Sequence, residues 1–291
     1  MVPSETISRS NPTPYNIFPC QPFTMIGMIT PAFICVSSIP GIFGGNEMTI
    51  SPIDNSQRTA AKVVGFAYLI TFALVIYVHY GIIWRLTTEN AAETARNILA
   101  HEQFFRTGIA LNILYCAGIF VLLTALYVIL KPVNKGLALL ATFWWVVYSF
   151  TWLFMSLNYF HALLLLKGAD YLRAFEPERL QAWAMFYFKM GFDIYYVGLL
   201  FWGLASTVCA CLWFKSRYIP RALAVFGVLS SAFAAACSFA LFINPHFDKI
   251  VNLMWFDTPI GLFDIALSFW LLFKGLKPPA AAGARTKTVA V

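Results

Sequence analysis

Ten polar side chains stand inside or at the edges of long apolar runs, and they are where this sequence holds chemistry. Lys189 and Asp193 lie four residues apart, a spacing at which two side chains meet on one helix face. Asp264 has no opposite charge within its own run. His79 and His161 bring imidazoles, and Asn112 and Asn158 bring amides. Arg106, Asn244 and His246 mark run boundaries. Such a set suits three uses: holding a polar solute or passing a proton, acid–base or metal-assisted hydrolysis of a lipid-like molecule, or pairing of helices. Charge at membrane depth is costly, so these residues are expected to face a bundle interior, a cavity or each other.

The spacings narrow the choice. His with Asp is a zinc-type donor set, but no His-x-Glu, His-Glu-x-x-His or paired-His pattern occurs. No metal and no cofactor is expected. Ser149, Ser156 and Ser206 lie in apolar runs without the strand–turn–helix context of a nucleophile elbow. Gly-rich phosphate cradles are missing. Cys209 and Cys211 point to different helix faces, and four of the six cysteines sit in apolar runs as small hydrophobes, so no disulfide framework is expected.

The elements that must position these residues follow from composition. Sixty per cent of the 291 residues are apolar and 11% charged, against roughly 25% charged in a soluble domain. Six apolar runs approach the ~20 residues a spanning helix needs: about Val63–Trp84, Gly108–Leu130, Leu137–Leu166, Trp183–Phe214, Ala222–Ile243 and Pro259–Phe273. The expected fold is all-α, a polytopic transmembrane bundle of six spans with short inner loops and partly helical outer loops. Runs three and four exceed a bilayer and are expected to tilt or project, and run six is short. Asn90 with Glu93 reads as a capping box, followed by an apolar stripe of Ala95, Ile98, Leu99 and Phe105. Trp84, Trp183, Tyr187 and Trp255 suit interfacial belts, whereas Trp144-Trp145 and Tyr195-Tyr196 lie deeper and either line a pocket or pack.

The net charge of +7 is scattered rather than gathered into a nucleic-acid groove, so no nucleic-acid partner is expected. It reads as topology instead. With the N-terminus inside, inner segments hold twelve basic and three acidic residues, and outer segments hold seven basic and eight acidic. That bias places both termini in the cytoplasm of a cell inner membrane. All ten polar residues then fall in the outer half of the bundle. Residues 1–57 read as an extension, disordered or upstream of a start at Met48; residues 58–277 form the membrane domain; residues 278–291 form a disordered tail.

Five segments, AAKVVGFAYL (60–69), ARNILAHEQFFRTG (95–108), LKPVNKGLALL (130–140), GADYLRAFEPERL (168–180) and KSRYIPRALAVFG (215–227), carry a family likeness. From about Arg58 to Lys277 the chain resembles the bacterial membrane proteins grouped as domain-of-unknown-function family 4386. The resemblance implies a helical membrane protein and supplies no activity or catalytic residue. The expected function is therefore a non-enzymatic protein whose outward-facing pocket takes a small solute, lipid headgroup or proton. Asp193, Asp264, Lys189, His161, Asn158, Asn112, His79 and Arg106 are its candidate lining. The alternatives are an accessory protein without a ligand and a membrane-embedded, metal-dependent hydrolase. The lipid bilayer is the partner the sequence names, and nothing in it sets an oligomeric state.

Overall fold

The computed structural model describes residues 53–278, apart from 169, 173, 245, 250, 253 and 254. The expected extension before residue 53, the start at Met48 and the tail beyond residue 278 lie outside the described residues. Seven helices of ten or more residues are described: α1 (Asn55–Leu86), α2 (Ala91–Ala100), α3 (Glu102–Leu130), α4 (Lys135–Lys167), α5 (Pro177–Ser216), α6 (Arg221–Ile243) and α7 (Thr258–Phe273). Among the described residues there is no strand. Helices α1, α3, α4, α5 and α6 are long and apolar enough to cross a membrane, and α7 is a shorter apolar helix. Large apolar side chains such as Phe66, Phe143 and Leu229 stand exposed around the bundle, an outer surface suited to lipid rather than water.

Local chemistry sets the helix ends. The Asp54 side chain accepts from the Gln57 backbone N–H at 2.6 Å, and the Gln57 side chain accepts from the Asp54 N–H at 3.2 Å. This capping box starts α1 eight residues before the apolar run begins. Asn134 caps α4 through the Leu137 N–H at 2.9 Å. Gly168 ends α4 in the left-handed conformation, φ 63°, where no Cβ is present to resist it. At Asn90 only half of the expected box forms: Asn90 Oδ1 accepts from the Glu93 N–H, but the Glu93 carboxylate accepts from the Thr88 hydroxyl. Helix α2 buries Ala95 and Ile98 while Leu99 is exposed, so the expected stripe is narrower.

Six helices close a ring. Contacts run from α1 to α3, α4, α5, α6 and α7 in turn, and from α7 back to α1. Small residues permit the closest approaches. A Cβ on Gly203 would lie 2.7 Å from the Ala235 backbone nitrogen on α6, and one on Gly65 would lie 2.9 Å from the Ser268 carbonyl on α7.

One end of the ring is sealed. The buried Gln57 amide donates to the Ile129 carbonyl at 3.3 Å and lies 3.4 Å from the Tyr218 hydroxyl. The Lys277 N–H donates to the Tyr218 carbonyl at 2.8 Å. The start of α1, the end of α3, the α5–α6 turn and the segment after α7 thus meet around Tyr218. Trp213, Leu130 and Val133 pack beside them, fully buried.

Candidate functional site

Opposite the seal, the ring does not fill. A cavity of about 330 Å³ is lined by α1, α3, α4, α5, α7 and the segment before α7. Its buried wall carries Tyr68 (α1), Tyr115, Ile119 and Leu122 (α3), Trp145, Tyr148 and Trp152 (α4) and Asp264 (α7). Its rim carries the exposed side chains Ile76, Tyr80, Trp84, Trp255 and Leu262.

Helical spacing builds this wall. Trp145, Tyr148 and Trp152 fall at intervals of three and four along α4, and Tyr115, Ile119 and Leu122 do the same on α3, so each trio shares one face. In α1 the backbone widens into a π-helical stretch, Tyr77–Ile83. Such stretches re-aim side chains and occur often at functional sites. His79 lies within it and meets Trp152 edge-on, ring centroids 5.2 Å apart at 88°. The rings continue as a network: Tyr115 against Trp152 at 4.5 Å, Trp152 against Tyr195 at 5.7 Å, and Tyr148 stacked on Trp202 at 5.8 Å.

Some polar tips in this wall are satisfied. The Tyr115 and Tyr148 hydroxyls share a hydrogen bond of 3.0 Å. Tyr195 donates to Asp257 Oδ2 at 2.5 Å, tying α5 to the start of α7. Burial of Asp257 lifts its carboxyl above the ordinary range, and the Tyr195 hydrogen bond offsets part of that. Others are not satisfied. His79 Nε2, Trp202 Nε1 and Asp264 Oδ1 are buried atoms without a hydrogen-bond partner. Asp264 is 5% exposed, and Tyr68 lines the same cavity. The Trp145 and Trp152 indole N–H groups are likewise buried without a hydrogen-bond partner. Buried polar atoms usually find partners, so several orphans along one cavity make it the place where a ligand's polar groups would be met.

Of the eight candidate residues named from sequence, His79 and Asp264 line this cavity and six do not. Lys189 and Asp193 are both exposed on α5, and no ion pair joins them. Helix α5 has 40 residues, about 60 Å at 1.5 Å each, or twice a bilayer core. A helix of that length exceeds what one bilayer crossing needs, so not every position on it has to lie at membrane depth. His161 is exposed and touches the Tyr187 ring at 5.6 Å. Arg106 pairs with Glu102 at 2.7 Å, and Lys167 joins the same carboxylate at 3.0 Å. Asn112 and Asn158 are buried between helices away from the cavity, both amide atoms of Asn112 and Nδ2 of Asn158 being unpartnered. Asp193, Asp264, His161 and Lys189 therefore do not converge. Asn244 and His246 are exposed in the turn after α6.

Sequence reasoning passed over Tyr68, Tyr115, Tyr148, Trp152, Trp202 and Asp257. The available signal was an aromatic stripe at i, i+3, i+7 with polar tips, on α4. Trp145, Tyr195 and Tyr196 line the cavity, whereas Trp144 does not. Among the described residues no three His, Cys, Asp or Glu side chains come together as metal ligands would.

Five membrane-length apolar helices and a shorter one around a partly polar cavity define a multi-pass helical membrane protein. The chain belongs to the family described as Domain of unknown function (DUF4386), whose sequence model matches residues 63–275. No curated protein and no solved structure matches it.

Proposed function

We propose that this is a non-enzymatic membrane protein that binds a small solute in the aromatic cavity. One observation carries the reading: a cavity of about 330 Å³, in the size range of ligand pockets, has at its buried wall a carboxylate with an unpartnered oxygen, Asp264 Oδ1.

The rest of the topology belongs to the same proposal. Helix α7 is the sixth span. Its 16 residues reach about 24 Å, somewhat short of a ~30 Å core, and it is shielded by α1 and α6. Its end meets the α5–α6 turn through the Lys277–Tyr218 hydrogen bond, which supports an even number of crossings with both ends on the sealed side. The charge bias makes that side cytoplasmic and the cavity outward-facing. Asp264 stands nine residues before Phe273, about 14 Å along the helix and so near the bilayer midplane.

The test uses the site's own tryptophans. Purified protein in lipid nanodiscs is screened against small amines, acids, sugars and neutral aromatics, reading tryptophan fluorescence and thermal shift together. A solute of the right class raises the melting temperature, and Asp264→Asn removes most of that rise. An unchanged rise in the variant takes Asp264 out of the site. Separately, a periplasmic label that reaches a cysteine placed after Lys277 would contradict the six-span arrangement.

A further inference from the structure

We propose that the cavity selects an organic cation, an amine or quaternary ammonium group carried on a compact apolar body. This rests on the reading of the cavity as a solute site and names the chemistry it takes.

Three observations converge. The acidic side chains in the lining are Asp264 and Asp257, and no Lys or Arg is among the lining residues. An anion would meet two carboxylates there and no compensating charge. Second, the wall between the acids is aromatic. Trp152, Trp202, Tyr148 and Tyr195 present rings in edge and stacked contact, and a cation over such faces is attracted to the ring quadrupole, most strongly where water is excluded. A neutral apolar molecule would gain from the rings but leave Asp264 Oδ1 unpartnered, whereas an N–H or N–CH₃ cation answers both. Third, the two acids differ in depth. Asp257 is half-buried near the rim and already accepts from Tyr195. Asp264 is buried and keeps an oxygen free. That order suits a cation passing the rim and settling at the deeper carboxylate.

The ammonium group could arrive on a free solute or on a choline-type lipid headgroup, and the experiment separates them. Wild-type protein in phosphatidylglycerol nanodiscs is titrated with benzyltrimethylammonium, its neutral carbon isostere neopentylbenzene, and benzoate, following tryptophan fluorescence. The cation is expected to bind about tenfold or more tighter than the isostere, with benzoate weakest. Asp264→Asn is expected to remove that preference, and Asp193→Asn, on the exposed face of α5, to leave it. Equal or tighter binding of the isostere or benzoate overturns the cation assignment while the solute-site reading stands. Binding of none of the three overturns both. The comparison of probes on wild-type protein needs no variant, so a misfolded Asp264→Asn does not blunt it. Repeating the titration in phosphatidylcholine nanodiscs identifies the source: cation binding weakened by choline headgroups assigns the site to a lipid, and unchanged binding assigns it to a free solute.

Discussion

Gly203→Ala adds one methyl group, and the structure sets two opposing effects against each other. Replacing glycine by alanine within a helix gains up to about 1 kcal/mol from backbone propensity. At Gly203 the new Cβ would lie 2.7 Å from the backbone nitrogen of Ala235 and 2.9 Å from its Cα and Cβ. Comfortable carbon contacts begin near 3.5 Å, so α5 and α6 must part by roughly 0.7 Å or more. The obstructing atoms are the Ala235 backbone and its Cβ, which no rotamer change can move. Overpacking of this kind costs about 1–3 kcal/mol, so with the full propensity gain set against it the balance falls against alanine by up to roughly 2 kcal/mol. Gly136 supplies the contrast, since a Cβ there meets only Asn134 Oδ1 at 3.6 Å. Gly136→Ala should therefore keep its propensity gain of about 0.4–1 kcal/mol. Reversible unfolding of both variants in mixed micelles, read by far-ultraviolet circular dichroism, gives the two free energies side by side. Gly203→Ala matching or exceeding wild-type stability would mean that the α5–α6 approach is looser than described, and the argument from close packing would fail. Because Trp202 adjoins Gly203 and lines the cavity, the same variant should also shift tryptophan emission.

Three further outcomes follow from the sealed end, the rim and the outer loop. Gln57→Leu removes the bonds to the Ile129 carbonyl and from the Asp54 N–H and should cost about 1–3 kcal/mol, whereas Tyr218→Phe, which spares both, should cost about 0.5–1.5 kcal/mol; equal losses in the same unfolding assay would show that those two bonds contribute nothing. Asp257 has a carboxyl raised by burial, so its contribution to stability is fullest below the ordinary carboxylate range, near pH 4, and is lost as pH rises through the raised value. Asp257→Asn should then melt at or above wild type at neutral pH, with wild type gaining on it as the solution is acidified; a pH-independent gap between the two would refute this. Glu102→Gln removes both the Arg106 and Lys167 pairs, yet these groups are partly exposed, so the melting temperature should fall little, and the fall should shrink in high salt; a large, salt-insensitive loss would contradict that reading.

How much the sequence disclosed depended on which physical signal each feature leaves. The helices were legible because lipid demands uninterrupted apolar length, and each expected run lies within a described helix. The extra turns were not: α1 begins at Asn55 because Asp54 and Gln57 cap it, a local hydrogen-bond event that hydropathy does not register. The sealed end escaped for a related reason. Gln57 and Tyr218 look like ordinary loop-edge residues until the fold brings together positions 161 residues apart. The site was half legible. Asp264 and His79 stood out as polar groups in apolar surroundings, but so did Lys189 and Asp193 on α5 and His161 on α4, whose exposed faces carry them away from the core. Aromatic residues were the hardest case, since Trp144 and Trp145 are chemically identical neighbours and only one of them faces the cavity.

The distribution of polar groups around the ring argues that the cavity is more than a packing defect. A defect in a helical bundle is lined by what the core already contains, and the core here is largely aliphatic on α3 and aromatic on α4. Burying a carboxylate without a full set of partners is among the costlier things a fold does, and an apolar residue at position 264 would avoid that cost. Meanwhile Ser230, Ser238 and Ser268, equally buried, each return their hydroxyl to a carbonyl of their own helix. Orphaned atoms do occur elsewhere on these two helices, at Ser231 Oγ and Trp270 Nε1, but Asp264 Oδ1 is the carboxylate oxygen among them and it faces the cavity. The imidazole of His79 repeats the pattern from the neighbouring helix α1, on a π-helical stretch that departs from regular helix geometry at that point. Unspent hydrogen-bonding capacity on α1, α5 and α7, directed at one space that five helices enclose, is the arrangement a binding site requires. Its corollary is thermodynamic: a ligand that satisfies Asp264 must stabilise the folded bundle by an amount that grows with its concentration, while one that merely coats the apolar surface need not depend on Asp264 at all.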